Sequence, residues 1–173
     1  RAAFRAGETV RFRSSANYPA FITRSEIRII DRAGRGRPVV AVLPARPNGR
    51  VDWTMPADGS GDLAYVLRVY DDAGRYDETA PRDLIRTERG FDTHDTVGEV
   101  VAAGEGEDNT RLRNIPVRGG RITATGTGAR PGGTVQVMGE DVPVDGSGAF
   151  VVSRILPAGD HVVEVDVNGR HVR

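Results

Sequence analysis

The sequence predicts an all-β protein of sandwich type, and three observations carry that prediction. β-Branched residues dominate, with 22 Val, 8 Ile and 12 Thr against 6 Leu and 2 Met, a balance that favours strands over helices. The 22 Gly and 10 Pro fall between the apolar runs and punctuate them. The runs are short, alternate apolar with polar, and recur roughly every 8–12 residues, which is the spacing of a sandwich or barrel.

The strands follow in order. Thr9-Val10-Arg11-Phe12-Arg13 alternates, with Val10 and Phe12 inward, and Asn17-Tyr18-Pro19 breaks it. Glu26-Ile27-Arg28-Ile29-Ile30 alternates again before an Asp31-Arg32-Ala33-Gly34 turn. Pro38 to Leu43 is a nearly continuous apolar run, closed by Pro44 and a Pro47-Asn48-Gly49 turn. Arg50 to Trp53 sets Val51 and Trp53 on one face, and Met55-Pro56 ends it. Asp62 to Tyr70 is the strongest strand, with Leu63, Tyr65, Leu67 and Val69 on one face, and Asp71-Asp72-Ala73-Gly74 turns it back. A strand near Asp83–Thr87 is the last in residues 1–88. Residues 89–112 read as an acidic, Gly-rich linker, in which Asp95 or Thr96 would cap a short helix over Val97–Ala103. Residues 113–173 return to strands at Ile115–Val117, Arg121–Thr125, Thr134–Met138, Asp141–Val144, Ala149–Ile155 and His161–Val167. Asn168-Gly169 is a hairpin signal with only three residues after it, so its partner strand is expected to be cut off and the parent chain to continue. The chain also starts without Met or an apolar leader core, as a fragment or processed product would.

Composition removes several classes of function. The 24 basic and 24 acidic residues cancel, which argues against a nucleic-acid binder driven by phosphate neutralisation and against a polybasic membrane surface. No apolar run approaches the roughly 18 residues of a spanning helix. There is no Cys, and every basic residue is Arg, which excludes a thiol nucleophile, a thiolate metal site, a disulfide, a Schiff-base lysine and a P-loop lysine.

The remaining constellations weigh toward structure. Gly126-Thr127-Gly128 with Gly132-Gly133 looks like a phosphate loop, but Pro131 stands where the third glycine belongs and a strand follows. Ser60 and Ser147 sit in Gly-Ser-Gly turns after Asp58 and Asp145, without the strand-to-helix setting of a nucleophile elbow. His94, His161 and His171 have no metal spacing, and His161 is in phase with the inward Val163, Val165 and Val167. The carboxylates Asp71, Asp72, Asp77 and Glu78, and the linker set Glu105, Glu107 and Asp108, are the ligand candidates for a calcium clamp. Neighbouring Arg75 and Arg111 make charge neutralisation the favoured reading. Asp71, Asp77 and Glu78 are also the best that an enzyme could offer. Arg11, Arg13, Arg28 and Arg68 fall on alternate strand positions as a solvated face with acidic partners. No catalytic, cofactor or metal residue is assigned.

Leu63 to Asp71 resembles the sixth strand of an immunoglobulin-like or fibronectin-type sandwich, with Tyr65 two residues before Leu67 as in a tyrosine corner. The family's disulfide is missing, and Trp53 comes too late for its third strand. Longer stretches resemble the Ig-like repeat region of large outer-membrane proteins of Gram-negative bacteria, often labelled OmpA-family. They are Asn17–Ile22 with Glu26–Arg28, Leu67–Asp71 with Gly74–Thr79, Gly106–Thr110, Asn114–Gly120, Val137–Asp145 and Ile155–His161. That resemblance implies two tandem Ig-like β-sandwich modules, residues 1–88 and 113–173, preceding a membrane barrel. It implies a non-enzymatic spacer or scaffold in the cell envelope, periplasmic or outer-membrane associated. Its partners would be other envelope proteins or neighbouring domains. The alternative is a carbohydrate-binding or calcium-dependent adhesion module. Buried Trp53, Tyr65 and Leu67 are expected in the first core, and Ile122, Val135, Val137, Phe150 and Val163 in the second.

Overall fold

The computed structural model describes residues 2–88 and 107–173. Among them the chain is all-β, with several sheets and one 3-10 turn, Pro19–Phe21. The described residues divide into two compact units. The first comprises residues 2–15, 22–88 and 109–115, and the second residues 16–21, 107–108 and 116–173.

The first unit is built around β6 (Asp62–Tyr70), with which β3 (Arg24–Asp31) pairs antiparallel along its full length. On its other side β6 is shared. Its first half pairs with β8 (Arg82–Arg86) and its last residues pair with β7 (Tyr76–Thr79). β1 (Ala2–Phe4) extends the sheet parallel to β8, and β4 (Val39–Ala45) closes the opposite edge beside β3. β9 (Thr110–Leu112) adds to β7. A separate ribbon of β2 (Thr9–Arg13) and β5 (Arg50–Thr54) covers one face of this sheet. The core between them holds Val10 and Phe12 from the ribbon and Ile27, Ile29, Leu63 and Leu84 from the sheet, with Met55. The period-2 alternation of β2 makes this possible, because it sends both apolar side chains to one face and both arginines to the other.

Trp53, Tyr65 and Leu67 are half-buried against that core rather than fully buried. Tyr65 lies in mid-strand, its ring edge-on to Phe12 with centroids 5.0 Å apart. Three strands of this unit went unread in the sequence: β1, β7 and β9. The last residues assigned to the linker are therefore strand, while the helix over Val97–Ala103 lies outside the described residues. The apolar run at β4 forms a strand, but an edge strand with Val39, Val40 and Val42 exposed.

The second unit pairs β10 (Gly120–Gly126) with β13 (Phe150–Leu156). A second sheet has the order β12 (Glu140–Pro143), β11 (Thr134–Val137), β14 (Val165–Val167), β15 (Arg170–Val172). Val135, Val137, Val142, Val144, Phe150 and Val152 form its core with Ala129; Val163 packs on the edge of that cluster and Ile122 stays outside it. The expected strand at Ile115–Val117 does not form, and the strand expected from His161 begins only at Val165. Asn168 and Gly169 both take positive φ, 53° and 78°, as a type I′ hairpin requires. The three residues after them pair with β14, so the hairpin closes where a missing partner was expected. Residues 16–21 belong to this unit, and the Asn17 carbonyl accepts a hydrogen bond from the Ile155 amide at 2.7 Å.

Candidate functional site

The densest polar constellation lies on the sheet face of the first unit that turns away from the ribbon. Alternation places Arg24, Glu26 and Arg28 of β3 on it, and register sets Glu26 opposite Arg68 and Arg24 opposite Tyr70 of β6. β7 adds Tyr76 opposite Tyr70 and Glu78 opposite Arg68. Glu26 is only 5% exposed. It accepts from Arg24 Nη1 at 2.8 Å, Arg28 Nη1 at 2.7 Å and the Tyr70 hydroxyl at 2.9 Å. Burial pushes its pKa up, but the bonds from Arg28 and Tyr70 and the charges of both arginines outweigh burial and hold it below the ordinary value. The Arg24 guanidinium stacks 3.7 Å over the Tyr70 ring and that of Arg68 4.1 Å over Tyr76. Arg68 also bonds Glu78 through Nε at 2.7 Å. The arginines expected on one solvated face are thus divided. Arg11 and Arg13 belong to the ribbon, where Arg11 is exposed and paired with Asp52, whereas Arg28 and Arg68 are mostly covered in this network.

The carboxylates expected to gather near the β6–β7 turn do not share a site. Asp71 bonds its own turn, accepting from the Ala73 and Arg75 amides at 3.0 and 2.9 Å and from Arg75 Nε at 2.7 Å. Burial raises its pKa, and these bonds overcome that and lower it. Asp72 is exposed. Asp77 points into the fold and accepts from the Asn114 and Ile115 amides at 2.6 and 2.9 Å, while Glu78 turns to Arg68 on the opposite face. Among the described residues no group of three His, Cys, Asp or Glu side chains is arranged to hold a metal ion. Glu105 lies outside those residues, as does His94.

The other motifs are turn chemistry. Asp145 accepts from the Ser147 hydroxyl at 2.7 Å and from the Ser147 and Ala149 amides, the hydroxyl being the largest influence lowering its pKa. The Ser60 hydroxyl accepts from the Asp62 amide at 3.1 Å. His161 is exposed and outside any strand, its Nε2 2.6 Å from the Pro157 carbonyl oxygen, and His171 is exposed on β15. Gly126 ends β10, and the glycines after it lead into β11 rather than into a helix.

A shallow cleft of about 510 Å³ also lies in the first unit, lined by Arg5, Ala57, Gly61, Arg86 and Glu88 among others. The Arg86 guanidinium there donates to the carbonyls of Pro56, Asp58 and Gly59 at 3.0, 2.5 and 2.6 Å, so it fastens a loop. The Arg86 staple and the Tyr70 bond to Glu26 have no sequence signature, because each joins residues far apart in the chain, whereas Arg24 and Arg28 lie two residues either side of Glu26. Comparison with known proteins gave no match to any family model, curated protein or solved structure.

Proposed function

We propose that the chain is a non-enzymatic structural and interaction segment of a cell-envelope protein, a spacer or scaffold of Ig-like sandwiches attached to an outer-membrane barrel. The envelope and barrel attachment rest on the sequence resemblance, and the observation that supports the Ig-like sandwich part of the reading is the strand order of the first unit. In immunoglobulin-type sandwiches one sheet holds strands G, F and C, extended by C′ in variable domains, while B pairs with E on the other. The order β8-β6-β3-β4 faced by β2-β5 supports that correspondence. The fate of the charged groups supports it too. Glu26, Asp71 and Asp77 are buried, and their hydrogen bonds go to strands and turns of the fold itself. Such groups stiffen a module rather than serve chemistry on a bound molecule. Function would then reside in distance and in surfaces.

The test is the size and fractionation of the intact polypeptide in the source cells, followed with an antibody to this segment. Recovery in the outer-membrane fraction on a much larger chain is the expected result. A free soluble chain of 173 residues would overturn the barrel-attached reading.

A further inference from the structure

The far edge of the main sheet combines three features that the proposed scaffold role leaves unused. First, β4 pairs with β3 on one side, and no other strand among the described residues pairs with it. Pro44 stands opposite Glu26 and has no N–H, while the Ala45 carbonyl turns toward β3, where it accepts from the Ser25 hydroxyl at 2.7 Å. Antiparallel alternation then directs the polar backbone groups of Ala41, Leu43 and Ala45 to β3 and those of Val42 outward. Second, Val39, Val40 and Val42 are 41%, 50% and 46% exposed, an apolar concentration on one short strand. Third, residues 32–50 carry five Arg and no Asp or Glu in a chain whose net charge is zero. Arg35 and Arg37 sit before β4 and Arg46 and Arg50 after it, all exposed.

We propose that the β4 edge is a docking site for an extended polypeptide segment that adds as a strand, apolar at its centre and acidic at both ends. The proposal deepens the interaction part of the reading above and rests on it. Backbone groups at the open edge want a ladder partner, the valines want apolar contact, and the two arginine clusters select carboxylates. The same features disfavour other occupants. Two copies pairing antiparallel through β4 would set Arg37 of one against Arg46 of the other, a like-charge juxtaposition that an acidic strand avoids. A lipid surface suits valines flanked by arginines, yet it leaves the outward N–H and C=O of Val42 without partners in hydrocarbon.

The experiment is a fluorescence-anisotropy titration of the 173-residue chain into a labelled synthetic peptide of alternating Val and Thr with a glutamate pair at each end. Saturable binding that weakens with salt is expected. The double reversal Arg37→Glu/Arg46→Glu should weaken it by about tenfold or more. Val42→Pro should abolish it, and Arg170→Glu, on β15, should leave it unchanged. The melting temperature of each variant identifies any that fails to fold, and the charge reversal alone is decisive if Val42→Pro does. Three results would overturn the inference: no binding, equal binding of a peptide with lysines in place of the glutamates, or unaltered binding by the reversed variant. Retention on phosphatidylglycerol vesicles without peptide binding would overturn it in favour of a lipid surface. A concentration-dependent dimer without peptide binding would do so in favour of a second copy. Because the titration uses the purified chain, its failure leaves the fractionation result standing, and the reverse holds as well.

Discussion

Glu26 is a carboxylate kept ionised in a nearly dry position, and its three donors are what permit it. Removing its charge leaves Arg24 and Arg28 without their shared anion, so Glu26→Gln should destabilise the fold by about 2 kcal/mol, read from urea unfolding. The pH dependence follows from the depressed pKa values of Glu26, Asp71 and Asp145. In acid the unfolded chain binds protons that the folded chain refuses, so stability rises with pH across that interval. It is fully present above the ordinary carboxylate values of about 4.3 for Glu and 3.9 for Asp, and is lost as pH falls through the lower folded values. The urea midpoint should hold steady between neutral pH and about pH 5 and decline below it, less steeply in Glu26→Gln. An unchanged slope in that variant would count against the network. Only part of this was legible in the sequence: alternation sets Arg24, Glu26 and Arg28 on one face of β3, but Tyr70 meets Glu26 only once the β3–β6 register is set.

At the scale of elements, legibility followed side-chain periodicity. β2 alternates strongly and buries one face as alternation put it, whereas β6 stands where its apolar content put it but is covered on both faces, with Ala64 and Val66 buried as well as Leu63 and Val69. β7 reads Tyr-Asp-Glu-Thr and β9 Thr-Arg-Leu, short and polar, and they exist because neighbours offer free ladder positions. β4 shows the opposite limit, since apolar content identified a strand but not its place at an edge. The segment at β9 is secured by Asp77, which receives two backbone amides. Asp77→Ala should leave the buried Ile115 amide unpaired and free that of Asn114, costing about 2 kcal/mol. It should also speed hydrogen exchange at Asn114 and Ile115 far more than in β6; protection equal to the native chain would refute the clasp. In the second unit Gly126 faces Phe150 across the β10–β13 ladder, and an added Cβ would run into the phenyl ring. Gly126→Ala should therefore lower stability by about 1–3 kcal/mol, and Phe150→Leu should restore part of it.

Over the whole molecule, each unit has its own apolar cluster, and the polar side chains buried among the described residues are satisfied within the protein. A calcium-dependent role would couple the metal to folding, so calcium above its dissociation constant would raise the melting temperature. A scaffold reading expects equal melting temperatures in calcium and in chelator; a rise of several degrees would favour the adhesion alternative. The balance of 24 positive and 24 negative residues was plain from composition, yet its uneven distribution along the sheet edge became meaningful only when β4 proved to be that edge. The assignment of residues 16–21 to the second unit bears on inheritance. A module encoded by one uninterrupted stretch can be duplicated, deleted or shuffled as a cassette. The second unit draws a turn from between β2 and β3, so a genetic break anywhere in residues 89–112 would separate that turn from the strand it bonds. Recombination should preserve this pair of units as a single heritable block.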